Sequence, residues 1–224
     1  MPEYRYVGND DCSDIGEVAV VVDVLRAFSF AAYAFDRGVE RLVLMDDLAE
    51  ARVLATTIPG ALVGKDGPPE PGFDLFNSPG QLLERSDLAG RTVVHRTAAG
   101  TIGAVAARAA AHLYCASFVV AGPTAARIRA LRPAQVTFVV TGDGGRADED
   151  LACAQHIAAC VDDPGAAPGR HLRRAAPAGD RLRRGIELGH RGIHRDVDLC
   201  LQVDRFDFAM RATEEDGLLT LRKA

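Results

Sequence analysis

Carboxylates, hydroxyls and cations recur where short apolar runs of this 224-residue sequence end. "VAVVVDVLRAFSF" closes an Ala/Val run on Asp23 and puts Arg26 three residues later. Lys65 follows "ALVG" and opens a Pro/Gly-rich excursion carrying Asp74, Asn77 and Ser78. "VVHRTAAGT" supplies Arg96, Thr97, Gly100 and Thr101, "YCASF" supplies Ser117, and "VVTGDGGRADED" supplies Asp143, Glu149 and Asp150. Hard carboxylate oxygens can hold Mg²⁺ while leaving waters and substrate oxygens in its shell. Arginine takes phosphate or carboxylate bidentately, and helix N-termini add N–H donors. Phosphoryl transfer asks mainly for this charge neutralisation and alignment.

Each residue alone has an ordinary reading. Asp23 serves as a strand-end cap, "NSPG" at 77–80 as a helix start, and Glu149 and Asp150 as acids complementing a helix dipole. Their joint position at strand ends favours a site, because open α/β sheets build theirs at the carboxyl ends of strands. The elements that must present them alternate as an α/β sheet requires. "VAVVVDV", "RLVLM", "ALVG", "TVVHRT", "HLYCASFV" and "VTFVVTG" read as strands. "RAFSFAAYAFDRG", "DDLAEARVLATTI", "AAGTIGAVAARAAA", "PTAARIRAL" and "DEDLACAQHIAACV" read as helices. The excursion Lys65 to Leu82, with four prolines and three glycines, is irregular, and its Phe73, Leu75 and Phe76 predict packing rather than disorder. The chain reads as one domain over 1–224, with 162–195 linker-rich and carrying one exposed helix.

Composition sets the outer limits. The chain is 48% hydrophobic and 25% charged, with a formal net charge of -5, a globular balance that argues against binding nucleic acid through a general basic field. Five cysteines form no metal-type spacing and read as small apolar residues in a reducing cytoplasm. No apolar run reaches the roughly 20 residues that span a membrane, and the N-terminus lacks a signal-peptide core. A cytoplasmic protein with no membrane partner is expected, and the apolar content of the C-terminal third suggests a homodimer. "GDGGRA" formally fits a dinucleotide fingerprint but lacks the second strand that would carry its acid. "HRGIH" spaces His190 and His194 by four, yet its glycines and neighbouring arginines fit a surface loop.

Taken in order, these segments resemble the 2-phosphosulfolactate phosphatases, a family named for a step in coenzyme M biosynthesis. "DVLRAFSF" looks like DVLRATST, "GKDGPPEPGFDLFNSP" like GE followed by PGFDLGNSP, and "RTAAGT" like TTNGT. "CASFVVAGPTA" is similar to a G-S-F-x-N-x-x-A segment, "ADEDLACAQHI" to LEDxxCAG, and "DVDLCLQVDRFD" to DIxFCxxxDxFD. The resemblance implies a three-layer αβα fold with a mixed, largely parallel sheet. It also implies a Mg²⁺-dependent phosphatase of small 2-hydroxy-acid phosphate esters. Asp23, Asp74, Glu149 and Asp150 are then the expected metal-side acids, with Asp23 either ligand or nucleophile. Arg26, Lys65, Asn77, Ser78, Arg96, Thr97, Gly100, Thr101 and Ser117 are the expected phosphate-side groups. Lys65, Arg96 and Ala99 depart from the family's Glu, Thr and Asn. That departure keeps open a non-catalytic binder of an anionic phosphorylated metabolite.

Overall fold

The computed structural model describes residues 1–67, 70–189 and 192–224. The chain begins with β1 (Glu3–Val7), then β2 (Val18–Val22), all five residues of which are buried. β2 is apolar without alternation because it is covered on both faces. α1 (Ala27–Asp36) follows and is buried from Ala27 through Phe35, so it is apolar all round rather than amphipathic. Next come β3 (Arg41–Met45) and α2 (Leu48–Thr57), whose start is capped by the Asp47 carboxylate accepting the Glu50 N–H at 2.8 Å.

β4 (Leu62–Lys65) leads into the Pro/Gly excursion, which contains β5 (Leu75–Phe76) and the one-turn α3 (Pro79–Leu82). Ser78 caps α3 with Pro79 at its first position. Phe73 and Leu75 are buried, as the apolar residues of that stretch predict. Then follow β6 (Thr92–Arg96), α4 (Gly100–Ala106), β7 (His112–Ala116), α5 (Ala121–Leu131), β8 (Gln135–Val140) and α6 (Asp148–Asp162). Residues 169–187 of the Arg-rich segment form α7 (Gly169–Glu187), packed on α6 with His171, Ala175, Ala178 and Gly179 buried. α8 (Arg195–Cys200), β9 (Met210–Glu215) and β10 (Leu218–Lys223) complete the chain.

The ten strands form one mixed, mostly parallel sheet in the order β1-β8-β2-β7-β9-β10-β3-β6-β4-β5, with helices on both faces. It is the three-layer α/β arrangement expected. β1-β8-β2-β7 is parallel throughout, and so is β3-β6-β4-β5. The β9–β10 hairpin joins these halves by antiparallel pairings on both sides. Its turn is Asp216-Gly217, both at positive φ, the geometry whose twist matches the flanking strands. Sheet twist of roughly 20–25° per strand accumulates across this junction, and the strand ends of the two halves meet. Asn9 Nδ2, beyond β1, donates to the Ala99 carbonyl at 3.2 Å, and Gly103 of α4 packs on Val21 and Thr141 of the other half.

Strand alternation separates the two faces of the second half. Leu42, Leu62 and Val93 join the main core with α1, while Val43 and Val94 form a small cluster with Ala51 of α2. β1 lay unread in the sequence because an edge strand carrying Glu3 and Arg5 has no continuous apolar run. The C-terminal segment is tied back by Asp204, whose N–H donates to Phe118 O at 3.0 Å and whose carboxylate accepts the Gly122 N–H at 2.6 Å near the start of α5. Asp204→Ala should therefore cost about 1–2 kcal/mol in urea unfolding, the worth of a lost cap, with an unchanged m-value.

Candidate functional site

Asp23 is the first residue beyond β2 and is buried. Its Oδ1 accepts the Ala27 N–H at 2.9 Å, and the Cα of Gly100 lies against the other oxygen. A Cβ on Gly100 would come within 2.6 Å of both Asp23 Oδ2 and Ala27 Cβ, so only glycine lets α4 start this close. Asp150, in the first turn of α6, is buried beside it. Asp150 Oδ1 accepts the Val24 N–H at 2.7 Å; Oδ2 accepts the Gly142 N–H at 3.1 Å and the Thr141 hydroxyl at 3.4 Å. This carboxylate thus laces the end of β2 to the end of β8 and positions Asp23.

Two further acids complete the cluster. Glu149 is partly buried, and its Oε2 is a buried oxygen without a hydrogen-bond partner. Asp66, which sequence reasoning passed over in favour of Lys65, accepts the Ala98 N–H at 2.7 Å and bears electrostatically on Asp23. Its only signal in the sequence was its place, one residue beyond β4. Burial pushes the Asp23 carboxyl up to about 6; the neighbouring charges of Glu149 and Asp66 add to the rise, and the Ala27 N–H opposes it. Asp150 is raised well above its ordinary range by burial and then by Asp23. Glu149 is raised by burial, with Arg181 pulling against the rise.

Ser117 stands just past β7 with its hydroxyl buried and unpartnered, and the Asn77 side-chain oxygen is likewise buried without a partner. Thr97 and Thr101 satisfy one another instead. Thr101 Oγ1 accepts the Thr97 N–H at 2.7 Å, and Thr97 Oγ1 accepts the Thr101 N–H at 3.1 Å, which fixes the turn into α4 around Gly100. Arg26 is buried at the start of α1 and paired with Asp196 of α8, which is fully buried. Asp196 also accepts the Ser78 hydroxyl at 2.9 Å, the Gly80 N–H at 2.8 Å and the Ile193 N–H at 3.1 Å. Asp196 thereby binds α3, α8 and the start of α1 into one unit. It lies in the C-terminal block "DVDLC", a position the sequence alone left without a role.

The structure does not bring Lys65, Arg96 and Asp74 to the acid cluster. Lys65 Nζ pairs with Glu70 Oε2 at 2.7 Å and lies 4.7 Å from the centroid of the Phe73 ring, over which Arg52 of α2 also stands. Arg96 Nε donates to Asp46 O at 3.2 Å on the same α2 face. Both sit at strand ends, but pleating turns them to the face opposite His95 and Gly64. The exposed Asp74 spends its carboxylate on the Val63 N–H at 2.8 Å, at the beginning rather than the end of β5. The "GDGGRA" loop is closed by Gly145 packing on Gly8, with the Gly142 N–H committed to Asp150. His190 lies outside the described residues, and His194 directly precedes α8.

Two acids here suit a hard divalent cation: Asp23 and Glu149 are both raised by burial, and Glu149 carries an orphaned oxygen, conditions that a cation would relieve. Among the described residues no group of three or more His, Cys, Asp or Glu side chains is placed to hold a metal ion. Mg²⁺ needs no such group, since it commonly uses one or two carboxylates and keeps waters or substrate oxygens.

Residues 7–215 match the family described as 2-phosphosulpholactate phosphatase. The chain belongs to this family. A Bacillus subtilis (strain 168) relative named "Probable 2-phosphosulfolactate phosphatase" is 26% identical over 233 residues, covering 100% of this chain and 99% of its own. Relatives of the same name from Deinococcus radiodurans and Thermus thermophilus are 34% and 33% identical, each covering 84% of both chains. The family's DVLRA, PGFDL-NSP and DIxFC blocks thus correspond here to the Asp23 turn, the β5–α3 corner and Asp196.

Two measurements test this geometry. Removing one partner of the buried Arg26–Asp196 pair leaves an uncompensated charge, so Asp196→Ala should lose about 3–5 kcal/mol in denaturant unfolding. For Asp23, the folded pKa lies above the unfolded 3.8, so its contribution is present below that value and is lost as pH rises past about 6. In chelator, the melting temperature of Asp23→Asn relative to wild type should therefore climb between pH 4 and pH 7. A constant offset would contradict the raised pKa.

Proposed function

We propose that the protein is a Mg²⁺-dependent phosphatase that hydrolyses the phosphate ester of a small 2-hydroxy acid such as 2-phosphosulfolactate. The observation that carries this reading is the buried Asp23 at the end of β2, with the partly buried Glu149 and Asp66 bearing on it, in a chain of this family. Asp23 and Glu149 are the residues that would hold Mg²⁺. The ion would neutralise the phosphate oxygens and so assist in-line attack by water.

The chain's own groups do the rest. Asp150 holds Asp23 in place through the Val24 and Gly142 N–H groups. The buried hydroxyl of Ser117 is an unpartnered donor suited to bind a transferring or carboxylate oxygen, whereas the unpartnered atom of Asn77 is an acceptor, its side-chain oxygen. The Arg26–Asp196 pair sets the start of α1, and hence the Ala27 N–H that orients Asp23. The rival, a binder without turnover, rests on Lys65. The ion pair of Lys65 with Glu70 takes that charge out of the acid cluster, so no observation favours it.

Phosphate release from a panel of phosphorylated 2-hydroxy acids, with Mg²⁺ and with EDTA, tests the reading. Wild type should turn over only with the metal, and Asp23→Asn should lose at least ~100-fold in kcat/KM, the scale of a removed charge-stabilising group. A wild type inert across the panel while still binding its members would leave a binding protein.

A further inference from the structure

The cations anticipated as anion clamps are committed elsewhere: Arg26 to Asp196, Lys65 to Glu70 and Arg96 to the Asp46 carbonyl on the α2 face. A substrate carrying an anion beyond its phosphate and 2-carboxylate still needs positive charge beside the acids. That charge comes from α7, a segment sequence reasoning treated as linker-rich. α6 and α7 run antiparallel: the His171 ring lies tilted against that of His156 with centroids 5.4 Å apart, and Arg174 pairs with Asp148, the first residue of α6, at 2.9 Å. Seven residues on is Arg181, on the same helical face and about 10 Å further along the axis. It therefore lies beyond Asp148 at the N-terminal end of α6, where it bears electrostatically on Glu149 without forming an ion pair with it. Among the described residues it makes no hydrogen bond or ion pair.

Arg181 overhangs a cleft of about 460 Å³ lined also by Gly142, Asp143, Arg146, Ala147, Asp148 and Glu149. Arg146 stands in the wall with one long hydrogen bond, 3.4 Å to the Asp143 carbonyl. The cleft thus opens on Glu149, the outer acid of the cluster, whose charge Arg181 already offsets. We propose that Arg146 and Arg181 form the subsite for a further anion of the substrate, a sulfonate or carboxylate on C3 beyond the phosphate and the 2-carboxylate. They would thereby set which phosphate ester is accepted. This inference rests on the phosphatase reading above for the location of the phosphate. Both arginines are exposed, so their guanidiniums can close on a ligand bidentately.

The test compares three substrates in wild type, Arg181→Ala, Arg181→Lys and Arg146→Ala. 2-Phosphosulfolactate carries a remote sulfonate, phosphomalate a remote carboxylate, and 2-phospholactate a methyl group there. Each alanine variant should lose roughly 10- to 100-fold more in kcat/KM on the first two than on 2-phospholactate, the worth of charge-assisted hydrogen bonds. Arg181→Lys should recover part of the loss, since it keeps the charge but not the fork. A loss on only one of the first two identifies the anion the subsite takes. Equal losses on all three substrates, or none, overturn the proposal. Calorimetry with the products adds a readout without turnover: Arg181→Ala should weaken sulfolactate binding and leave lactate binding unchanged. If wild type hydrolyses none of the three, the phosphatase reading fails by itself. Calorimetry then decides the subsite, and sulfolactate affinity indifferent to Arg181 would overturn it.

Discussion

Two carboxylates, Asp23 and Asp150, are buried side by side where β2 and β8 end, and the geometry of the site depends on that placement. Asp150 meets its cost through the Val24 and Gly142 N–H groups and the Thr141 hydroxyl. Asp23 has the Ala27 N–H, with Gly100 pressed against its other oxygen. Buried charge without a paired cation is among the most expensive arrangements a fold can hold. Its expense is visible in the raised pKa values of both groups. A site of this kind is poised to gain free energy from any cation that enters it, and perturbed acids of this kind cluster where function is located.

The architecture that brings further groups to this pair is a parallel sheet in two halves. Had all strands run one way, Lys65, Arg96 and Asp23 would share a rim by simple topology. The β9–β10 hairpin instead inserts antiparallel pairings between β7 and β3, and the ends of the halves meet through twist and through α4. Only residues turned toward that meeting face contribute. Asp66 and the Gly100 turn do, whereas Lys65 and Arg96 point to the α2 layer.

Division of labour follows from burial. The acids are fixed and sheltered, while Arg146 and Arg181 are exposed side chains lining a cleft. Fixed, desolvated groups serve chemistry, because their effect needs no reorganisation. In the proposed subsite the exposed guanidiniums would serve selection, by meeting the anion that a ligand brings. The Arg26–Asp196 pair belongs to neither class; it is scaffolding that joins the C-terminal α8 to the start of α1.

Much of this was legible in the residues alone. The Ala/Val run of β2, the turn chemistry of 77–80 and the alternation of strands and helices are local properties, set by propensity and periodicity over a few residues. They determined the α/β class, and with the ordered motifs they singled out Asp23, Glu149, Asp150 and Ser117. Which neighbours those residues have was not local. Pleating sent Lys65 away while its neighbour Asp66 turned toward the acids, a difference of one residue that no composition records. The partner of Arg26 lies 170 residues along the chain, and Arg181 reaches the site only because α7 runs antiparallel to α6 and outlasts it. Sequence by itself determined which side chains could do chemistry. Tertiary structure decided which of them meet, because contact depends on strand facing and helix direction, quantities set by the packing of the whole sheet.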